Sequence, residues 1–346
     1  MTMDRDGDGL DRPLLVGVDI GGSKIAVLLV DRDERVLARE VAHTAAGPQA
    51  GATDHIATVI ERTLRSAGVR IDDVSAIGVG VPGRVDPLSG AVTLAVNLGW
   101  SDLPLGAQLV ARFGRPCVVE NDVRAAAFGL HRRRVVGEFD DLAYLAVGTG
   151  VSAGVVLHGR LHRGPRGLAG EIGHVIVEPT GARCACGERG CLETIVSGSA
   201  IARLAREAID AGRPTVLADH TDPTAVDVYR AAATGDPVAV EIVDAVGRRL
   251  AWAVHLLVMT YDVERVVLGG GVSHAGDTFL RPIEEELDRL RATSELAREQ
   301  LVPGIAQLLT PGADAGAWGA VSIAEAGHAG IGSGQGRREV GHVRDA

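Results

Sequence analysis

Runs of Val, Leu and Ile broken by glycines alternate with stretches of helical period along most of this chain. Residues 14–20, 25–30 and 36–41 read as three successive strands, parted by Gly21-Gly22 and by a polar turn at 31–34. Helical spacing follows over about 52–67, then a buried-strand run over 76–81 that stops at Pro82-Gly83. The pattern next predicts a helix over 105–113 and a short strand over 117–120. A further helix starts near Asn121-Asp122, with Ala125, Ala126, Ala127 and Leu130 on its faces. A second series opens with strands over 142–147 and 152–157 on either side of Gly148-Thr149-Gly150. It repeats the outline of residues 16–30, which suggests an internal duplication. Residues 183–191 carry neither period. Helices are predicted over about 199–211, 225–233 and 237–259, and a strand over 263–268 runs into Gly269-Gly270-Gly271. The last helices fall over about 279–290 and 313–326. Strands that alternate with helices and end in glycines indicate an α/β fold, whose ligands sit at the carboxyl ends of the strands. The three glycine-rich strand ends are therefore candidate parts of one cleft.

Composition narrows this picture. The 346 residues are enough for two domains, and the 46% apolar and 23% charged content is that of an ordinary globular protein. With aromatics at 3%, the core has to be built from Val, Leu, Ile and Ala. The formal net charge of -10 argues against nucleic acid or an anionic membrane as partner, since both call for a basic surface. Arg132, Arg133 and Arg134 make one short basic run, read as a solvated helix face. The opening segment is polar and unlike a signal peptide, and the apolar stretch at 251–259 is too short to span a bilayer. Residues 1–13 and the Gly-, Ser- and Arg-rich tail from Gly327 to 346 are expected to be disordered. Four cysteines are few for a secreted scaffold, so the expected compartment is the reducing cytoplasm.

Three of those cysteines carry the most specific chemistry. His174, Cys184, Cys186 and Cys191 lie in one segment, GHVIVEPTGARCACGERGCLE, whose glycines allow the turns that gather the ligands. Three thiols and an imidazole match tetrahedral Zn²⁺, and four protein ligands leave no open position, so the expected metal is structural. The competing reading is a disulfide, but a C-x-C pair is too tight for easy bridging. Cys117, in an apolar strand, reads as a small buried residue.

The knot also carries a resemblance. GH followed by CxCGxxGCxE resembles the signature of the ROK proteins, a family of sugar kinases and related sugar-responsive repressors. DIGGSK at 19–24, VPG at 81–83, VENDVRAAA at 119–127, GTG at 148–150, GEIGH at 170–174 and LGGG at 268–271 follow in the family's order. The resemblance spans about 14–326. It implies a two-domain, actin-like or hexokinase-type ATPase fold with an interdomain cleft. One domain would cover 14–121, completed by the helix at 313–326; the other would cover 122–312 and hold the knot.

The resemblance also implies roles. Asp122 would be the base that accepts the sugar hydroxyl's proton; the plainer reading is that Asn121 or Asp122 caps a helix. Gly21, Gly22 and Ser23 would offer N–H and hydroxyl groups to phosphate, with Lys24 adding charge and Asp19 orienting Mg²⁺ or its waters. A plain hairpin turn is the alternative for this segment. Gly148, Thr149 and Gly150 would form a second phosphate loop, and Gly269, Gly270 and Gly271 would pass close to the adenosine of ATP. No P-loop sequence G-x-x-x-x-G-K-[ST] stands at any of these loops. By similarity, Asn97, Asn121, Asp122, Glu171, His174 and Glu193 would hold the sugar, with His174 shared between zinc and substrate. The plain alternatives are a turn residue for Asn97 and a surface carboxylate for Glu193.

Some positions depart from the family pattern. Ser152 replaces a glycine of the second phosphate loop, a Pro is missing between Asn97 and Trp100, and Val123-Arg124 follow END in place of smaller residues. Arg124 is expected to face solvent. The implied activity is an ATP-dependent kinase acting on glucose at the 6-hydroxyl. The alternatives are a related amino sugar, mannose-type sugar or cyclitol as acceptor, a sugar-responsive regulator, or a sugar-binding relative without catalysis. About a dozen polar residues precede Leu14, too few for a helix-turn-helix. A homodimer or tetramer is the family-level expectation.

Overall fold

The computed structural model describes residues 14–44 and 49–332, so the N-terminal arm 1–13 and the tail beyond 332 lie outside the described residues. The first strands are β1 (Leu14–Ile20), β2 (Lys24–Val30) and β3 (Val36–His43), followed by helix α1 (Ala52–Ser66) and β4 (Val74–Val81). Three very short strands come next: β5 (Arg84–Val85), β6 (Val92–Ala95) and β7 (Trp100–Leu103). Helix α2 (Leu105–Phe113), β8 (Cys117–Asn121) and α3 (Asp122–Arg132) close this half. The second half opens with β9 (Leu142–Val147), β10 (Val151–Leu157) and β11 (Arg160–His162). Helices α4 (Glu193–Val196), α5 (Gly198–Asp210), α6 (Ala225–Ala233) and α7 (Pro237–Tyr261) precede β12 (Arg265–Gly269). The chain then forms α8 (Asp277–Thr293), α9 (Glu295–Gln300), β13 (Ala306–Leu308) and α10 (Ala315–Gly332).

The two main sheets share one plan. Their strand orders are β3-β2-β1-β4-β8 and β11-β10-β9-β12-β13. In each, the opening strand is antiparallel to the second and parallel to the fourth. The duplication suggested by strand, glycine turn, strand is thus present in topology. The strands β1, β2, β4, β9 and β12 are almost wholly buried, as continuous apolar runs covered on both faces should be. One apolar core joins β1, β2 and β4 to α1 and α2; another joins β9, β10 and β12 to α5, α6, α7 and α8.

Local chemistry sets the helix starts. Ser197, Thr224 and Asp236 accept hydrogen bonds from the first-turn N–H groups of α5, α6 and α7, and Pro237 opens α7. The small sheet β5-β6-β7 was not legible, because strands of two to four residues carry no readable period. The last helix starts at Ala315 and runs to Gly332, past the end expected at Ala326. In the arginine run Arg132 and Arg134 are exposed, as a solvated face should be, and only Arg133 departs from it. Arg133 lies 3.3 Å over the Trp318 ring of α10 and pairs with Glu34 at 3.0 Å, while Arg132 and Arg134 pair with Glu325 and Glu138. Among the described residues no helix is long and apolar enough to cross a membrane.

Helix α10 returns the chain to the first sheet. It is rich in Ala and Gly, and it lies directly on the backbone of β1 and β4. A Cβ added at Gly78 would fall 1.9 Å from the carbonyl oxygen of Ala320, and one at Gly17 would fall 2.6 Å from Val321. Neither sheet residue has room for a side chain. Gly78→Ala is therefore expected to destabilise the protein by about 2 kcal/mol or more, read as a lower urea midpoint with an unchanged m-value.

Candidate active site

The parallel strands β1, β4 and β8 end side by side, with Asp19 opposite Gly80 and Gly80 opposite Glu120. The chain turns from β8 into α3 at Asn121-Asp122. Asn121 is buried and is the cap: its Oδ1 accepts from the Arg124 N–H at 3.0 Å. Its Nδ2 donates to the Gly83 carbonyl and to Asp122 Oδ1, each at 3.1 Å. The capping work falls to Asn121, which leaves the half-buried Asp122 carboxylate at the helix start.

Asp122 and Asp19 flank Gly80; a Cβ there would lie 3.5 Å from Asp122 Cα and 3.8 Å from Asp19 Oδ1. Crowding of acids shows in both carboxyls. Burial pushes Asp122 up to about 6, and the charge of Glu171 adds to this, while the Val123 N–H and the Arg124 charge oppose it. Burial pushes Asp19 up to about 7, helped by the charges of Asp122 and Asp314 and opposed by Lys24.

Two of the three glycine loops line one cavity. Asp19–Lys24 is the β1–β2 hairpin turn, closed by Gly21 N–H to the Lys24 carbonyl at 2.8 Å; Gly22, Ser23 and Lys24 are exposed. Thr44 ties it to the end of β3 through its hydroxyl on the Gly21 carbonyl at 2.7 Å. Gly148-Thr149-Gly150 is the corresponding β9–β10 turn. Its Gly148 carbonyl accepts from the Gly198 N–H at 2.8 Å, and the Thr149 carbonyl accepts from the Ser199 hydroxyl at 3.3 Å. Gly269 ends β12. Gly270 follows at φ 88°, where a Cβ would lie 2.4 Å from the Val147 carbonyl, so only glycine fits. Gly148, Thr149 and Gly271 line one cleft of about 690 Å³ together with Ser199, Tyr229 and His274. The Asp19–Lys24 turn does not line that cleft. Ser199, Tyr229 and His274 belong to no motif and were missed; Ser199 and Tyr229 fell in predicted helices and His274 in no predicted element, and nothing there pointed to a ligand. Ser152 sits in regular β10 backbone and donates its hydroxyl to the Gly170 carbonyl at 3.3 Å.

The other polar candidates cluster around residues 170–193. His174 Nε2 is 3.9 Å from Glu171 Oε2, and its Nδ1 is 3.7 Å from Cys184 Sγ. The ligand atoms of His174, Cys184, Cys186 and Cys191 all lie within 4.8 Å of one another, and no disulfide joins them. Glu193 is not a free surface carboxylate: its Oε2 accepts from the Val151 N–H at 2.9 Å, beside Gly150. Asn97 lies exposed on the turn Val96–Leu98 between β6 and β7, and among the described residues no hydrogen bond ties it to the others. Arg124 departs from expectation. Its side chain is 2% exposed and makes an ion pair with Glu120 at 2.8 Å. The i,i+4 spacing of Glu120 and Arg124 was the available sign, hidden because it bridges a strand and a helix.

The fold and this site define an actin-like, two-lobed phosphotransferase architecture. The ROK family model matches residues 15–327, and the chain belongs to the ROK family. It is 37% identical over 279 residues to a glucokinase of Halalkalibacterium halodurans, covering 79% of this chain and 84% of that one. The structure of a ROK family glucokinase from Streptomyces griseus in complex with glucose and AMPPNP superposes with a TM-score of 0.73 at 33% identity, covering 90% of this chain and 99% of that one. A ROK family transcriptional regulator, a homolog of the E. coli MLC protein, gives a TM-score of 0.77 at 28% identity, covering 92% and 79%.

The raised carboxyls have a consequence for stability. Asp19 and Asp122 hold their protons more tightly when folded than at the ordinary value of 3.8. The stability they allow is complete below about pH 4 and is lost as pH rises through 6 and 7. Asp19→Asn is expected to be more stable than the parent at pH 8, with the gap closing toward pH 4 in urea melts.

Proposed function

We propose that this protein transfers the γ-phosphoryl group of ATP to a hexose, with glucose as acceptor at the 6-hydroxyl. The observation that carries the reading is Asp122. It is a carboxylate at a helix start whose N-cap is Asn121, its Oδ1 accepting from the Val123 N–H at 2.9 Å and from Asn121 Nδ2 at 3.1 Å, and it is placed among Asp19, Asn121 and Glu171. In the step, the Asp122 carboxylate takes the hydroxyl proton as the sugar oxygen bonds to phosphorus. The bond from phosphorus to the bridging oxygen breaks, and ADP leaves. A base pushed up to about 6 is ionised at neutral pH yet is basic enough to help.

Asn97, Asn121, Glu171, His174 and Glu193 are the proposed sugar grips, since amides and carboxylates each pair with one or two hydroxyls. Gly21, Gly22, Ser23 and Lys24 are proposed for one side of the phosphates, and Gly148, Thr149 and Gly150 for the other. Gly269, Gly270 and Gly271 are proposed beside the nucleoside in the 690 Å³ cleft. Mg²⁺ arrives with ATP and offsets phosphate charge; Asp19 is the carboxylate proposed to orient it or its waters. The proposed lobes are 14–121 with 313–326, and 122–312. The glucokinase relatives favour glucose, and the glucose complex of the Streptomyces griseus protein supports the same choice.

His174, Cys184, Cys186 and Cys191 fit zinc. Zinc–sulfur bonds of about 2.3 Å in a tetrahedron place sulfurs about 3.8 Å apart. Cys186 and Cys191 sulfurs stand 3.6 Å apart, and Cys184 Sγ stands 3.7 Å from His174 Nδ1. Burial pushes the Cys191 thiol up to about 12, so thiolates there require a cation beside them. With Nδ1 toward the knot, His174 turns Nε2 toward Glu171. The metal, when bound, fixes the fold of this segment and takes no part in phosphoryl transfer.

A coupled ADP assay across hexoses, amino sugars and cyclitols tests the reading. Turnover is expected with glucose; a better amino sugar or cyclitol would reassign the acceptor, and none anywhere would favour a regulator. Asp122→Ala is expected to lower kcat by about 10²- to 10⁴-fold while glucose binding survives in calorimetry, and parent kcat should fall as pH drops through about 6. Metal analysis of protein purified without chelator is expected to give about one zinc per chain. Cys184→Ala should lose that zinc, and with it sugar affinity ahead of ATP affinity.

A further inference from the structure

Next to Asp122 lies a buried charged cluster for which the phosphoryl step has no direct use. Glu120, the last side chain but one of β8, is 3% exposed. Its Oε1 accepts from the Asn121 N–H and from Arg124 Nε, both at 2.8 Å. Its Oε2 accepts from Arg163 Nε at 2.5 Å. Arg124 also sends Nη1 to the carbonyls of Gly167 at 3.0 Å and Ala169 at 3.5 Å.

These bonds run in one direction. Glu120 and Arg124 bracket Asn121-Asp122 at the β8–α3 corner. Their partners Arg163, Gly167 and Ala169 all belong to the loop that leads into Gly170-Glu171. That loop is closed on itself by the Ala169 N–H on the Arg163 carbonyl at 3.1 Å, and Gly170 is pinned to β10 through the Ala153 N–H at 2.8 Å. A buried ion pair adds little net stability, because desolvation of both charges offsets their attraction. What it does supply is geometry: a planar guanidinium and a carboxylate accept few arrangements. We infer that Glu120, Arg124 and Arg163 are positioning residues that lock the loop 163–170, and so the Glu171 side of the sugar site, to the corner that carries Asp122.

The inference rests on the kinase reading for its choice of probe. Arg163→Met is the decisive variant, since Arg163 is 39% exposed and its loss leaves the Glu120–Arg124 pair intact. Glu120→Gln/Arg124→Met removes both buried charges together, so that no unpaired charge is left in the interior. Each variant is assayed for glucose and ATP KM, for kcat, and for amide hydrogen exchange over 163–174. The expected result is a glucose KM raised on the order of tenfold or more, with ATP KM within about twofold of the parent, because misplacement falls on the sugar alone. Exchange over 163–174 should rise while 148–151 stays protected, and Arg163→Lys, which restores one ionic tie, should recover most of the loss. An unchanged glucose KM in Arg163→Met, or glucose and ATP KM rising in step, would overturn the inference. Should the double variant not fold, Arg163→Met decides alone. Should the parent turn over no sugar, the kinase reading falls, and exchange over 163–174 decides this one: an unchanged rate in Arg163→Met would sink it.

Discussion

Direct contact between helix α10 and the backbone of β1 and β4 is the constraint on which the rest of the molecule depends. The contact is possible only because Gly17 and Gly78 present no side chain to it. It holds α10 on the first sheet, and α10 in turn packs on α3, where Gly129 and Gly319 meet. Several polar contacts then follow from its placement. Asp314 precedes α10 and reaches Arg39 of β3 at 3.2 Å; Trp318 receives the Arg133 guanidinium. Asp19 lies against Gly316 in the helix's first turn, close enough that a Cβ there would fall 2.3 Å from its carboxylate. The helix thus fixes both the sheet and one acid of the Asp19–Asp122 site.

The acidic site at the carboxyl ends of β1 and β8 concentrates negative charge around two buried carboxyls. Asp19, Asp122, Glu171 and Asp314 act on one another, and burial raises the two central carboxyls. Such an arrangement works against the stability of the protein alone at neutral pH. It becomes favourable only with a partner that supplies protons or positive charge, which is the behaviour of a functional site. The neighbouring Glu120 cluster follows the opposite rule. There the buried carboxylate is fully paired, and its bonds spread outward to a loop, so the charge serves geometry.

Much of this was readable in order along the chain. The glycine-broken apolar runs gave the five strands of the first sheet and the three central strands of the second, though not the three-residue edge strands β11 and β13, and the repeat of strand, glycine turn, strand foretold their shared topology. The Cys and His spacing identified a cluster that the fold does gather. Other residues were illegible for definite reasons. Ser199, Tyr229 and His274 line the cleft from three separate segments, and no local spacing relates them. Arg124 looked like a surface residue because Arg usually is one; only the loop 163–170 folding over it makes it interior. For Glu193 the plain alternative of a surface carboxylate fails, because β10 supplies the Val151 N–H to its Oε2.

The zinc-type knot marks the division between the two kinds of information. Its ligand set, its turns and its likeness to the ROK signature were fixed by residues close in sequence, because a cation's requirements are local and chemically strict. Its orientation was not. That His174 turns Nδ1 to Cys184 and Nε2 to Glu171 depends on where β10 and the loop before Glu171 run. Sequence by itself determined the longer strands and helices, the metal-type ligands and the acid at the start of α3. Tertiary structure alone decided which of them share a cleft, since burial and the meeting of distant charges arise only when separate strands and helices pack.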